Sequence, residues 1–171
     1  MFIRDVVLYG EFSRKANALK ETGIFERILD VYMVSGLIGL LTNKYEDVER
    51  DTVNVKIFIQ QLNGEWDRLR YFASLVTLAN KNDQLNDQSK QKQIINEAFG
   101  DWFTNESDSE NEKYQMFYKH SLAGINLLYD RVIGTSTDND SYYRNFYKFI
   151  KSIDKIDVET TMDRLIIANL I

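Results

Sequence analysis

His120 is the single histidine of the chain, and Ser121 follows it directly in a stretch with helical patterning. The first chemistry to test is therefore a general base activating a hydroxyl. Such a base needs a carboxylate to orient it. The nearest acids, Glu112 and Asp130, lie too far along a helix to serve, and Met116 and Gly124, one turn to either side, carry no polar side chain. His120 is therefore expected to be a surface or boundary residue. Glu97 and Asp101 stand four apart and would share a helix face, where two carboxylates can approach a divalent ion. No third donor falls at a matching spacing, so a solvated acidic face is expected instead. The acidic runs Asp108–Glu112 and Asp138–Asp140 lack the glycine and closing glutamate of a calcium loop. A metal-dependent nuclease would need an acid two before lysine on a strand. Here Asn54 precedes Val55 and Lys56, and a neutral amide is a poor ligand for a hard cation.

The wider inventory narrows the chemistry further. Cysteine is absent, which removes thiol nucleophiles, disulfides and thiolate metal sites. One imidazole cannot build a two-histidine metal centre. No glycine spacing matches a phosphate-cradling loop of the P-loop or dinucleotide type. The expectation is a protein that is not an enzyme and carries no cofactor or metal.

The 171 residues are 44% hydrophobic and 27% charged, a folded composition long enough to bury its own core. One helical domain spanning 1–171 is expected. Acids outnumber bases by 26 to 21, a formal charge of -5, which disfavours a broad electropositive surface for duplex DNA or anionic lipid. The apolar stretch Ile28–Leu41 is interrupted by Asp30 and is too short to span a bilayer. The N-terminal nine residues carry Arg4 and Asp5 and lack the uncharged core of a signal segment. A cytoplasmic location without membrane contact is expected.

Proline is absent, which suits long helices. The fold class read from the pattern is mainly α, a compact multi-helix domain with a short strand or hairpin near residues 52–58 and about 60% helix against the usual third. Residues 1–10 read as an N-terminal arm or strand, and 11–21 as a short helix. Residues 25–45 carry apolar side chains at steps of three and four: Ile28, Leu29, Tyr32, Met33, Leu37, Leu40 and Leu41. Gly36 and Gly39 inside that run each cost about 1 kcal/mol relative to alanine, so another backbone must approach closely there, or the helix breaks. Residues 52–58 alternate and are β-branched, which predicts a short strand, or an extended lead into a helix at 57–62. A helix follows over 65–79, with Trp66, Leu69, Phe72, Ala73 and Val76 on one stripe. Another covers 90–103, capped by Asp87 or Ser89. A long helix over 112–133 ends at Gly134. Ser141 is the expected cap of a helix over 142–153, and Asp157 of a last one, so that 142–171 form a C-terminal helical pair.

That pair carries the candidate contacts. Residues 141–151 interleave aromatics with Arg144, Lys148 and Lys151, a composition that can stack and neutralise single-stranded nucleic acid. The same aromatics can instead cover a core, or form a protein interface. Residues 165–171 are nearly all apolar and need burial by the chain itself or by a partner. Tyr142, Tyr143, Phe146, Leu165, Ile166 and Leu170 are the expected partner contacts, with Arg144, Lys148 and Lys151 as the nucleic-acid alternative.

Several blocks resemble a known family. Phe25, Asp30-Val31-Tyr32-Met33 and Ser35-Gly36-Leu37-Ile38-Gly39 open the resemblance. Val55-Lys56-Ile57-Phe58, Leu75-Val76-Thr77-Leu78-Ala79 and the run from Phe117 to Leu128 continue it. Together they resemble small accessory proteins encoded beside DNA phosphorothioation and related bacterial anti-phage gene clusters. The resemblance covers about residues 25–133. It departs in having one glycine rather than two near Ala123-Gly124, and in the aromatic tail after Tyr142. It implies a prokaryotic or phage-related context and a partner complex; the expected partner is a larger defence protein (an ATPase or a nuclease), with self-association of the chain as the alternative. The small middle subunit of a multi-component defence ATPase is a related possibility.

Overall fold

The structure, a computed structural model, describes residue 2 and residues 4–47, 49–81, 84–85, 87–99 and 112–153. The elements follow as β1 (Val6–Tyr9), α1 (Gly10–Glu21), α2 (Ile28–Leu41), β2 (Asn54–Ile57), α3 (Ile59–Gly64), α4 (Trp66–Asn80), α5 (Gln88–Phe99), α6 (Glu112–Leu128) and α7 (Asn139–Ile153). A π-helical turn, Tyr129–Ile133, extends α6. The architecture is mainly helical with one small antiparallel sheet, as the pattern predicted.

The two strands pair at long range, Val6 opposite Ile57 and Tyr9 opposite Asn54. Val6, Leu8 and Ile57 are buried and Val55 half-buried on the face turned to the helices. Two strands alone are marginal in water, so this face-on packing is what holds them. The strand and the short helix that were alternatives for 52–62 both form, one after the other. At the β1–α1 junction Gly10 has φ +57° and donates its N–H to the Val53 carbonyl at 2.8 Å, a conformation that a side chain would strain.

α2 is the central helix. Leu29, Val31, Tyr32, Met33, Ser35, Gly36, Ile38, Gly39 and Leu40 are all buried, so it is enclosed on more than the single stripe its periodicity predicted. Its start is held by Asp30, which accepts the Arg27 backbone N–H at 3.0 Å and pairs with the Arg27 side chain. α2 packs against α6 more extensively than any other described pair of elements. The glycines explain how. A Cβ at Gly39 would overlap the His120 backbone carbonyl, and one at Gly124 would overlap that of Ser35. Residues rise along α2 as they fall along α6, so the two helices run antiparallel with their backbones touching. The ring of Phe117 lies over Gly36 and meets Tyr32 edge-on at 5.5 Å between centroids. Close approach, not a helix break, is what the buried glycines serve.

A smaller apolar cluster, Leu78, Leu85, Ile94 and Ala98, joins α4 to α5. Ile95 and Phe99 pack on it, while Trp102 and Phe103, at the end of the helix expected over 90–103, lie outside the described residues. On α4 the stripe is narrower than predicted. Leu69 and Ala73 are buried, but Phe72 is 42% exposed and sits beside exposed Tyr71. One residue is 100° of helix, which is enough to carry Phe72 off the packed face. Among the described residues no helix is long and apolar enough to cross a membrane.

Candidate functional site

The feature that stands out is the outer face of α7. Its first turn is fixed by Asp138, not by Ser141 as the pattern predicted. One Asp138 carboxylate oxygen accepts the Ser141 N–H at 2.9 Å and the other accepts the Ser141 hydroxyl at 2.7 Å. These bonds hold the Asp138 carboxyl below its ordinary range, the Ser141 hydroxyl contributing most. Ser141 therefore lies inside the helix, at the third position, and the helix starts three residues earlier than a Ser141 cap would allow.

From that start the side chains divide by angle. Tyr142, Phe146, Phe149 and Ile153 pack on the main core, and Phe146 meets Phe25 edge-on at 5.7 Å. The Asn145 amide donates to the Val132 carbonyl and to the Ser136 hydroxyl, both at 3.1 Å, which locks α7 against the π-helical turn. On the opposite side Tyr143, Tyr147 and Ile150 are exposed, Tyr147 by 64%. Each is followed by a base: Arg144, Lys148 and Lys151. An apolar stripe and a basic stripe thus run side by side, about 100° apart. The Lys151 ammonium lies 6.0 Å from the centroid of the Tyr147 ring, at the limit of a cation–π contact. Lys148 also lines an open cleft of about 230 Å³ with Arg131, Asn145, Phe149 and Ser152. No acid occurs between Ser141 and Ile153, so a chain of net charge -5 carries here a local surface of the opposite sign.

The expected contacts divide accordingly. Tyr143 is about half exposed, with its hydroxyl end lying near Gly23. Tyr142 and Phe146 are half-buried against the chain's own core, Phe146 on Phe25. Leu165, Ile166 and Leu170 lie outside the described residues, as does the whole expected helix after Asp157. Arg144, Lys148 and Lys151 are all solvent-facing. Tyr147 and Ile150 belong to the exposed face and were not singled out from the sequence. Their signal was the repeated apolar–basic step at 143–144, 147–148 and 150–151.

Among the described residues the other candidate chemistry does not gather. His120 is 1% exposed, not a surface or boundary residue, because it sits where α6 meets α2 and the Tyr45 ring covers it. Its Nδ1 contacts the Lys44 carbonyl, which can only accept, so Nδ1 carries the proton. Nε2 is buried with no hydrogen-bond partner among the described residues. The imidazole is used to hold the chain that leaves α2. Glu97 pairs with Lys81, and Asp101 lies outside the described residues. Asp51 accepts the Val53 N–H at 3.1 Å in a turn leading into β2, which lowers its carboxyl below the ordinary range. Among the described residues no three His, Cys, Asp or Glu side chains come together in a way that could hold a metal ion. In comparisons with known proteins, no family model, no curated protein and no solved structure matches the chain.

Proposed function

We propose that the chain is a non-catalytic accessory subunit that docks a larger protein through the outer face of α7. The observation that carries this reading is the exposed Tyr143, Tyr147 and Ile150 stripe laid alongside Arg144, Lys148 and Lys151. Tyrosine and arginine are the side chains that most often dominate binding energy at interfaces. A helix offering such a face fits an apolar groove with carboxylates on one rim: the groove takes the stripe, and the carboxylates take the bases. The resemblance of residues 25–133 to accessory proteins of anti-phage clusters supports a prokaryotic defence complex as the setting, with an ATPase or nuclease as the larger partner and the cytoplasm as the place.

The test is co-expression with each larger protein encoded beside this one, followed by size-exclusion chromatography with light scattering. One stable complex is expected, lost on combining Tyr147→Ala with Lys148→Glu. Both positions are exposed, so the variant keeps its fold. A chain that forms no complex with any of them, or a complex indifferent to the two changes, refutes the reading.

One observation favours a second reading. The Lys151 ammonium near an exposed Tyr147 ring, with two further bases on the same stripe, is the composition of a stacking platform for single-stranded nucleic acid. That reading predicts binding of a fluorescent oligonucleotide that weakens steeply with salt and is lost in Arg144→Ala/Lys148→Ala. No binding at low salt removes it.

A further inference from the structure

A second surface, distant in sequence from α7, is built differently. Val7 and Tyr9 alternate onto the outer face of the small sheet, the face away from the buried Val6 and Leu8. Gln115 and Tyr118, one turn apart on α6, come over that face. The Tyr118 hydroxyl donates to the Val7 carbonyl at 2.8 Å and ties helix to strand. The space left between them is an open cleft of about 320 Å³, also lined by Arg4, Asp5 and Arg50. This is within the size range of small-ligand sites.

The charges in this cleft are unbalanced. Arg4 enters from before β1 and Arg50 from the segment before β2. Neither takes part in an ion pair among the described residues, although Arg27 and Arg68 elsewhere share Glu65. The one carboxylate on the wall, Asp5, already accepts the Ile59 N–H at 2.9 Å through one oxygen. Arg4 and Arg50 both line the cleft, and the planar forks of guanidiniums match the oxygens of a phosphate. Burial, with the neighbouring Tyr9, pushes the Tyr118 phenol up to about 12, so it stays neutral and adds no negative charge against an anion. The Tyr9 ring supplies a half-buried aromatic wall with a hydroxyl at its end.

We propose that this cleft binds a small molecule through a phosphate group held by Arg4 and Arg50, with Tyr9 beside it. Two sources share that chemistry: free phosphate and a mononucleotide, whose base the aromatic wall would cover.

Isothermal titration calorimetry of the full chain at low salt, with inorganic phosphate, adenosine monophosphate and adenosine as probes, tests it. At least one phosphate-bearing probe is expected to bind in the micromolar to low millimolar range, and adenosine not at all. Arg4→Gln and Arg50→Gln are each expected to weaken binding about tenfold, the scale of one lost charged hydrogen bond. Both arginines are exposed, and a thermal melt matching the parent chain shows that each variant is folded. Adenosine monophosphate binding more tightly than phosphate assigns the cleft to a nucleotide, and equal binding assigns it to the phosphate group alone. Silence from both phosphate-bearing probes, binding of adenosine, or binding unchanged in both variants overturns the proposal.

Discussion

Glycine is the residue whose role the structure makes most specific. At Gly39 and Gly124 a methyl group would meet backbone carbonyl atoms, which have no rotamer to escape into. At Gly64, the last residue of α3, the same methyl would meet nothing within 4 Å. Gly39→Ala and Gly124→Ala are therefore expected to cost about 3 kcal/mol or more, the upper end of overpacking losses, because α2 and α6 must separate to admit the new atom. Gly64→Ala is expected to be neutral or to stabilise by up to about 1 kcal/mol, through a less flexible unfolded chain. Urea denaturation of the three variants checks the contrast. A Gly124→Ala protein as stable as its parent would mean that the two backbones are not in contact. Gly36 and Gly39 were legible in the sequence as an anomaly, since each lowers helix propensity inside an apolar run, whereas Gly124 was not. Which backbone they admit was not legible, because His120 and Ser35 are far apart in the chain and no local pattern pairs them. His120 itself was misread for the same reason: the groups that enclose it come from α2 and from Lys44 and Tyr45, not from its own helix.

At the scale of elements, local rules worked where local forces decide. The helices over 11–21, 25–45, 65–79, 90–103, 112–133 and 142–153 all have described counterparts, because apolar spacing of three and four residues is a property of the chain itself. Asp87 caps α5 as expected, accepting the Ser89 N–H at 3.0 Å. A short strand or hairpin near 52–58 was legible, but its pairing with β1 was beyond reach, since 45 or more residues separate the partners. So was the π-helical turn that ends the long helix before Gly134. The cap of α7 shows the limit within a local signal. Ser141 and Asp138 are both good caps by type, and the winner is the carboxylate, whose two oxygens serve Ser141 twice. This has a consequence for the exposed face of α7, whose angle is set by that first turn. Asp138→Ala is expected to fray the start of α7, seen as faster hydrogen exchange at Ser141 and Tyr142, while Ser141→Ala keeps the backbone bond and most of the protection. Because the bonds depress the Asp138 pKa, the cap is intact above the ordinary carboxylate range and fails as pH falls through the lowered value. Equal exchange in Asp138→Ala and the parent chain would show that α7 is held by its core contacts alone.

Among the described residues, the carboxylates with lowered pKa stand at joints between elements: Asp51 before β2, Glu65 between α3 and α4, Asp87 before α5 and Asp138 before α7. Glu65 is the least exposed of the four, and it has the longest reach. It accepts the Arg27 guanidinium at 3.0 Å, at the entry to α2, and that of Arg68 at 3.2 Å on α4. The bond to Arg27 contributes most to its lowered pKa, so the carboxylate form is favoured in the folded chain relative to the ordinary value of 4.5. A group of this kind adds stability above its unfolded pKa and loses it as pH falls through the folded one. With four such groups among the described residues, the chain is expected to hold a level stability through the neutral range and to lose part of it below about pH 4, the ordinary carboxylate range. Glu65→Gln keeps the shape and removes the charge. It is expected to lower the urea midpoint at pH 7 and to shrink the difference between pH 7 and pH 3, because one of the groups that titrates on unfolding is gone. A parent chain equally stable at both pH values, or a Glu65→Gln chain with the parent's full acid drop, would mean that the joint between α2 and α4 is held by apolar packing and not by this carboxylate.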